Sequence, residues 1–459
     1  MILKPYEKYT DTGIPWCPYA PEHWEILRAK YMYKKEKRPV RSEDNIVTCF
    51  RDGTVTLRLN RRTTGFTEAV NESGYQGVRK GDLVIHVMDA FAGSIGVSDS
   101  DGKCTPVYSC CTALGNYNNY YYAYLLREMA RTGFIQSLYR GIRERSSDFR
   151  FDVFAQQSLI IPSRSEQDQI VRFLDWKSSE SLKFVHEKKK EIALFNELKN
   201  ANIVKAVTSG LDTKCELKES HISFVPMIPE HWDELMLFQV ASEQKISNKT
   251  VHHQNLLSLS YGKIKRKDIN TKGGLLPASF DTYQIVNDGD VILRLTDLQN
   301  DHKSLRVGLS TETGIITSAY TCLKPRDNIL PAYLYLMLHA YDVSKMFYGM
   351  GGGVRQSIGY ADIRRMTILL PPLDEQQAIV DYCYSEQEKI EKLIDSLNDE
   401  IAYIQELRVR TISDVVTGKV DVRDVVIPEY GIEPSELEDD ISEEEDSENI
   451  ETVDEEVDE

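Results

Sequence analysis

Two runs of the sequence hold side chains suited to gripping a polyanion. Cys49–Phe66 contains Arg58, Asn60, Arg61, Arg62 and Thr63, and Ser260–Asp268 contains Lys263, Lys265, Arg266 and Lys267. Guanidinium and ammonium groups attract phosphate, and Arg, Asn and Thr can also hydrogen-bond base edges. Arg294, Asn300 and His302 form a third polar group, while Arg143 and Arg145 in Gly141–Arg145, and Arg355–Gln356 after Gly351–Gly353, lie ahead of two helix-like stretches. Each of these residues, taken singly, has the ordinary alternative of a solvated surface charge.

Motifs for catalysis are missing. No Gly-x-x-x-x-Gly-Lys-Ser/Thr phosphate loop occurs, and Gly349–Arg355, though rich in glycine, lacks the Lys-Ser/Thr that would complete one. The Asn-Pro-Pro-Tyr and Asp-Pro-Pro-Tyr signatures of amino-methyltransferases are absent, and His23 and His231 have no evident nucleophile beside them. The pattern favours binding over catalysis.

What must position these residues is a repeat. Leu159–Asp212 returns as Leu369–Asp421 at an offset of 209, so that Pro162 meets Pro371, Glu166-Gln167 meets Glu375-Gln376, and Val207-Thr208 meets Val416-Thr417. Each copy leaves a proline-marked strand end and continues for about 44 residues of helix-forming composition. In the second copy Ile379, Cys383, Ile390, Leu393, Leu397, Ile401 and Ile404 recur at helical spacing; in the first the stripe of Ile170, Phe173, Leu174, Val185, Ile192, Phe195, Ile203 and Val207 is interrupted by Lys188–Lys190. Two such helices can cover each other's seams. The repeat also includes Pro21-Glu22-His23-Trp24 and Pro229-Glu230-His231-Trp232, expected to be stiff, packed openings, and Gly81–Ile85 against Gly289–Leu293, a turn feeding a buried strand. Tyr121–Leu126 and Tyr333–Leu338 read as a short aromatic-rich helix in each half.

Length and charge fit this plan. A chain of 459 residues allows about three domains, and 41% hydrophobic content supports real cores. No apolar run approaches the roughly 20 residues of a membrane span, and the first residues lack a signal-peptide pattern, which favours a cytoplasmic protein without a membrane partner. The eight cysteines are scattered without Cys-x-x-Cys pairs, so reduced, mostly buried thiols are expected, and no metal site. The net charge of −17 misleads, because residues 424–459 hold 18 of the 72 acids and none of the 55 bases. Residues 1–164 carry +5 and 213–371 carry +2, while 165–212 sum to zero and 372–423 to −6. The tail's composition predicts disorder.

Over residues 14–428 the paired Pro-Glu-His-Trp openings, Leu370–Ile379 ahead of a long helix, and the closing Val416-Thr417-Gly418-Lys419 closely resemble the specificity subunits of type I restriction-modification systems. The resemblance implies an α+β fold with two similar target-recognition domains, 1–164 and 213–371, joined by two long antiparallel, coiled-coil-like helices, 165–212 and 372–423, with 424–459 as an acidic tail. It implies a non-catalytic chain whose two domains each read half of a split, asymmetric DNA site. Two methyltransferase subunits, bringing S-adenosylmethionine and adenine-N6 chemistry, would dock on the helices through stripe residues such as Ile170, Phe173, Val185, Ile192, Phe195, Ile379, Ile390, Leu393, Leu397, Ile401 and Ile404. Two motor-nuclease subunits would complete a restriction complex, with ATP and Mg on the partners and no cofactor on this chain. The sequence departs from the family pattern at Ile161–Ser165, where Pro-Pro-Leu is lost, and in its long acidic tail. Two rivals remain, a DNA-modifying enzyme with unfamiliar motifs and a helical scaffold that does not bind DNA. Binding or use of S-adenosylmethionine by the chain alone would mark the first, and absence of salt-dependent DNA binding the second.

Overall fold

A computed structural model describes residues 4–61, 73–138, 148–249, 253–269, 279–296, 298, 305–350 and 357–431. The described residues divide into two compact units, residues 4–188 with 399–431, and residues 189–398. Both combine largely antiparallel sheets with helices; in the second unit Leu256–Ser260 and Gly314–Ile316 pair in parallel. Two long helices, Arg164–Ser209 and Leu373–Val416, each give one part to either unit, and at 46 and 44 residues each is about 65 to 70 Å long.

In the first unit a hairpin pairs Tyr9–Ile14 with Cys17–Pro21, and Glu25–Arg28 pairs with Ser158–Ile161 just before the first long helix. A four-stranded antiparallel sheet runs in the order Tyr33–Lys35, Tyr108–Ala113, Leu83–His86, Ile95–Val97. The helix Asn119–Arg131 covers it, started by the Asn118 side chain, which accepts from the Tyr120 N–H at 3.0 Å and so satisfies a free donor of the first turn. Trp24, Tyr33, Tyr121, Tyr122, Phe154 and Phe173 fill the core, with Val415 and Val416 from the end of the second long helix.

The second unit uses the same order of elements. Leu217–Ile222 pairs with Val225–Pro229, Asp233–Met236 with Thr367–Leu370, and the sheet runs Ala241–Gln244, Thr321–Pro325, Val291–Leu293, Val307–Leu309. Its short helix, Pro331–Val343, begins with proline at the first position, where a missing N–H costs nothing. Trp232, Tyr333, Leu336, Ile379 and Cys383 pack there against Ile203 and Val207 of the first long helix.

Within the first unit Leu182 and Val185 meet Ile401 and Ile404. Ile170, Phe173, Ile379, Ile390 and Leu397 are buried, and Ile192 and Phe195 are half-buried. Leu393 departs from the expected stripe: it is 49% exposed. At 100° per residue, Ile390 and Leu397 nearly align, whereas Leu393 lies about 60° off that line. All eight cysteines are free thiols, seven of them buried. Among the described residues no helix is long and apolar enough to cross a membrane, and no group of three or more His, Cys, Asp or Glu is placed to hold a metal.

Candidate nucleic-acid interface

The repeated motifs converge on one joint, built once in each unit. Trp24 is buried and its indole Nε1 donates to Oε1 of Glu166 at 3.0 Å, while His23 Nε2 lies 3.1 Å from Oε2. In the second unit Trp232 donates to Glu375 Oε1 at 3.1 Å and His231 Nε2 lies 2.7 Å from Oε2. Each glutamate sits in the first turn of a long helix, where the helix dipole favours negative charge. The adjacent glutamine completes the joint. Gln167 Nε2 donates to the Pro162 carbonyl and its Oε1 accepts from Asn118 N, both at 2.8 Å; Gln376 does the same with Pro371 at 2.9 Å and Leu330 N at 2.8 Å. Glu-Gln therefore fastens strand end, short helix and His-Trp opening to the start of a long helix. The opposite end of the other long helix arrives at the same place, Gly418 beside Trp24 and Gly210 beside Trp232.

On this frame stand the candidate contact residues. In the first unit Val47–Cys49 and Val55–Leu57 form a hairpin, followed by a single 3-10 turn at Arg58–Asn60. Asn60 is exposed, and its Nδ2 donates to Thr56 Oγ1 at 2.8 Å. Arg58 is half-buried, with Nε 3.4 Å from Thr48 Oγ1. Arg61 is drawn inward, ion-paired with Asp52 and lying 4.5 Å from the Phe50 ring centroid.

In the second unit the basic segment expected as a loop is a strand. Lys263–Lys267 pairs with Leu256–Ser260 and forms the edge of a four-stranded sheet. Its turn is Tyr261-Gly262, with φ of 47° and 73°, the left-handed pair a tight hairpin needs. Lys263, Lys265 and Lys267 share one face at about 6.8 Å spacing and are exposed. Lys263 reaches Glu391 at 3.3 Å and Arg266 binds Glu312 through Nε at 2.8 Å, whereas Lys265 and Lys267 make no ion pair among the described residues. Arg294 is buried, its N–H donating to the Arg306 carbonyl. Arg62, Thr63, Arg143, Arg145, Asn300, His302, Arg355 and Gln356 lie outside the described residues.

Sequence reasoning passed over Arg306. Fully buried, it donates to the Thr296 carbonyl at 2.7 Å and to Tyr348 OH at 3.2 Å, and so holds the Arg294–Thr296 segment. Nothing in its sequence neighbourhood separates it from a surface arginine. The geometry offers exposed ammonium groups on an edge strand and, among the described residues, no group of His, Cys, Asp or Glu placed to hold a metal; such ammonium groups suit phosphate.

Residues 306–405 match the family model described as the type I restriction modification DNA specificity domain. The putative type I restriction enzyme MjaX specificity subunit of Methanocaldococcus jannaschii is 23% identical over 316 residues, 66% of this chain and 68% of that protein. In its matched domain, and over 66% of its length, the chain is similar to specificity subunits of type I restriction-modification systems. A chain from a structural study of complex assembly and conformational transition of the type I R-M system has the same fold, with a TM-score of 0.57 at 15% identity over 86% of this chain and 98% of that one. The HsdS subunit from Thermoanaerobacter tengcongensis scores 0.46 at 15% identity, over 87% of this chain and 98% of its own. Specificity subunits are the non-catalytic members of their systems, in keeping with the missing catalytic motifs.

Proposed function

We propose that each unit of this specificity subunit reads one half of a bipartite, asymmetric DNA sequence, and that the two long helices, in a coiled-coil-like pair, set the spacer between the halves. The observation that carries this reading is the Glu-His-Trp joint, built twice from matching residues around differing basic segments. A common frame with unlike contact surfaces is what two readers of two different half-sites require. Phosphate contacts would supply most of the affinity and base edges the sequence.

Catalysis is left to partner subunits. Two methyltransferase subunits, carrying S-adenosylmethionine, would dock on the helices, whose exposed apolar residues include Leu194, Leu198 and Leu393 in the second unit and Tyr403 and Leu407 in the first. Two motor-nuclease subunits, using ATP and Mg, would complete the restriction complex in the cytoplasm. Methylome sequencing of a host expressing this chain with its methyltransferase is expected to show one split motif with an adenine modified in each half; a continuous motif, or none, would remove the reading. Purified alone, the chain should neither bind nor consume S-adenosylmethionine.

A further inference from the structure

We propose that Arg28–Lys37 of the first unit is a phosphate-anchoring surface for duplex DNA that has no counterpart in the second unit. This rests on the DNA reading above and adds a second contact surface to the hairpin carrying Arg58–Arg61.

The stretch Arg28–Arg41 holds seven bases, Arg28, Lys30, Lys34, Lys35, Lys37, Arg38 and Arg41, against the single acid Glu36. The structure separates them into two sets. Lys34 pairs with Glu36 at 2.8 Å, Arg38 with Asp82, and Arg41 with Asp101 at 3.1 Å. Arg28, Lys30, Lys35 and Lys37 make no ion pair among the described residues; Lys35 is half-exposed and the other three are exposed. Four uncompensated cations thus lie within ten consecutive residues, a span of at most about 32 Å.

Backbone pairing holds the run in place. Arg28 closes the strand paired with Ser158–Ile161, Lys30 sits in the 3-10 turn Ala29–Tyr31, and Lys35 pairs with Cys111 at the edge of the main sheet. Tyr31 is 62% exposed, with Lys30 Nζ 4.8 Å from its ring centroid, leaving a flat apolar face beside the charges. Lysines on an edge strand also block pairing with another sheet. That accounts for Lys34 and Lys35, but not for Lys30 or Lys37, which lie outside the strands.

The counterpart in the second unit is Met236–Lys249, with the same strand order and only two bases, Lys245 and Lys249, against Glu243. Lys245 is paired with Glu243 at 2.9 Å. Duplex DNA presents one negative charge per about 1.7 Å of axis, so unpaired cations on a fixed backbone suit it without reading sequence.

The test uses the complex of this chain with its methyltransferase subunits and compares wild type with the triple variant Lys30→Gln, Lys35→Gln, Lys37→Gln. Dissociation constants are measured between about 50 and 200 mM salt, on duplexes with and without the recognised motif. The expected result is a slope of log affinity against log salt that is shallower by about 2 to 3 on both duplexes, at roughly 0.9 per phosphate contact. The methylated motif should stay the same, and Lys245→Gln with Lys249→Gln should leave the slope unchanged. An unchanged slope in the triple variant, beside a steep wild-type slope, overturns the proposal and spares the DNA reading. Loss of the methyltransferase from the triple variant overturns it in favour of a protein contact. A wild-type complex without salt-dependent DNA binding fails the DNA reading itself.

Discussion

Trp24 and Glu166 are 142 residues apart in the chain and joined by a 3.0 Å hydrogen bond, the indole N–H donating to a carboxylate whose side chain is only 3% exposed. Tyr6 OH donates to the same oxygen at 2.6 Å. In the second unit Glu375 receives Trp232 in the same way but is 24% exposed. Replacing the acid strands the donors, at about 1 to 3 kcal/mol for each one buried. Glu166→Ala is therefore expected to cost roughly 2 to 5 kcal/mol and Glu375→Ala about 1 to 2. Urea unfolding of the two variants checks this, and equal losses would mean that Tyr6 contributes nothing.

The helix ends should show a similar asymmetry. Gly210 and Gly418 have φ of 70° and 76°, so a side chain at either is strained by about 1 kcal/mol. A Cβ at Gly418 would come within 2.5 Å of Pro21 and 2.8 Å of Trp24, whereas at Gly210 its nearest neighbour is Trp232 at 3.1 Å. Overpacking of a well-filled site adds about 1 to 3 kcal/mol. Gly418→Ala should lower the melting temperature clearly more than Gly210→Ala.

The repeats made the two long helices, the paired openings and the short aromatic helices legible before any coordinates. Identical motifs at one offset imply identical local structure. Their joint was not legible, because no local pattern connects Trp24 to an acid 142 residues away. Lys263–Lys267 hid its strand for a different reason. Lysine is depleted in strands, Ile264 is its only β-branched residue, and the edge position that lets lysine project into water is a property of the sheet. Arg294 and Arg306 look alike in sequence to Lys265 or Arg266, yet both are buried. Leu393 shows the limit of spacing arguments, since three residues along a helix still leave a wide angular gap.

Burial and the nearby Lys199 push the His339 imidazole down to about 4, and its Nε2 lies 3.0 Å from Asn200 Oδ1. With the unfolded value near 6.5, protons bind the unfolded chain first as pH falls. Below about pH 6.5 this histidine therefore favours unfolding progressively, reaching roughly 3 kcal/mol near pH 4, and it contributes no pH dependence above that window. His339→Gln should flatten the fall in stability between about pH 6.5 and 4 relative to wild type. Parallel pH curves for the two proteins would show that His339 titrates normally.

Contacts on the second unit's edge strand should behave as phosphate contacts. Lys265→Gln with Lys267→Gln is expected to weaken binding to every duplex alike and to reduce the salt slope by about 2. Arg61→Ala should act differently, because its guanidinium is engaged with Asp52 and Phe50. Its main effect should be a loss of stability on the order of 1 kcal/mol, with little change in slope. Salt titrations of the assembled complex separate the two outcomes. A full unit of slope lost in Arg61→Ala would place that side chain on DNA.

The role proposed for the long helices as a ruler has a geometric test. Four residues added after Lys189, or after Glu388, lengthen a helix by about 6 Å. That equals about two base pairs at 3.4 Å each. The insertion also turns the following segment by about 40°, because four residues exceed one turn of 3.6. Inserting in both helices together adds the same length to each and is the cleaner variant. Methylome sequencing should then show both half-sites unchanged and the spacer longer by about two base pairs. If the spacer stays where it was, the helices do not set it and serve only to dock partners. If a half-site changes, the inserted turn has disturbed a reader, and the joint at Glu166 or Glu375 would be the place to look.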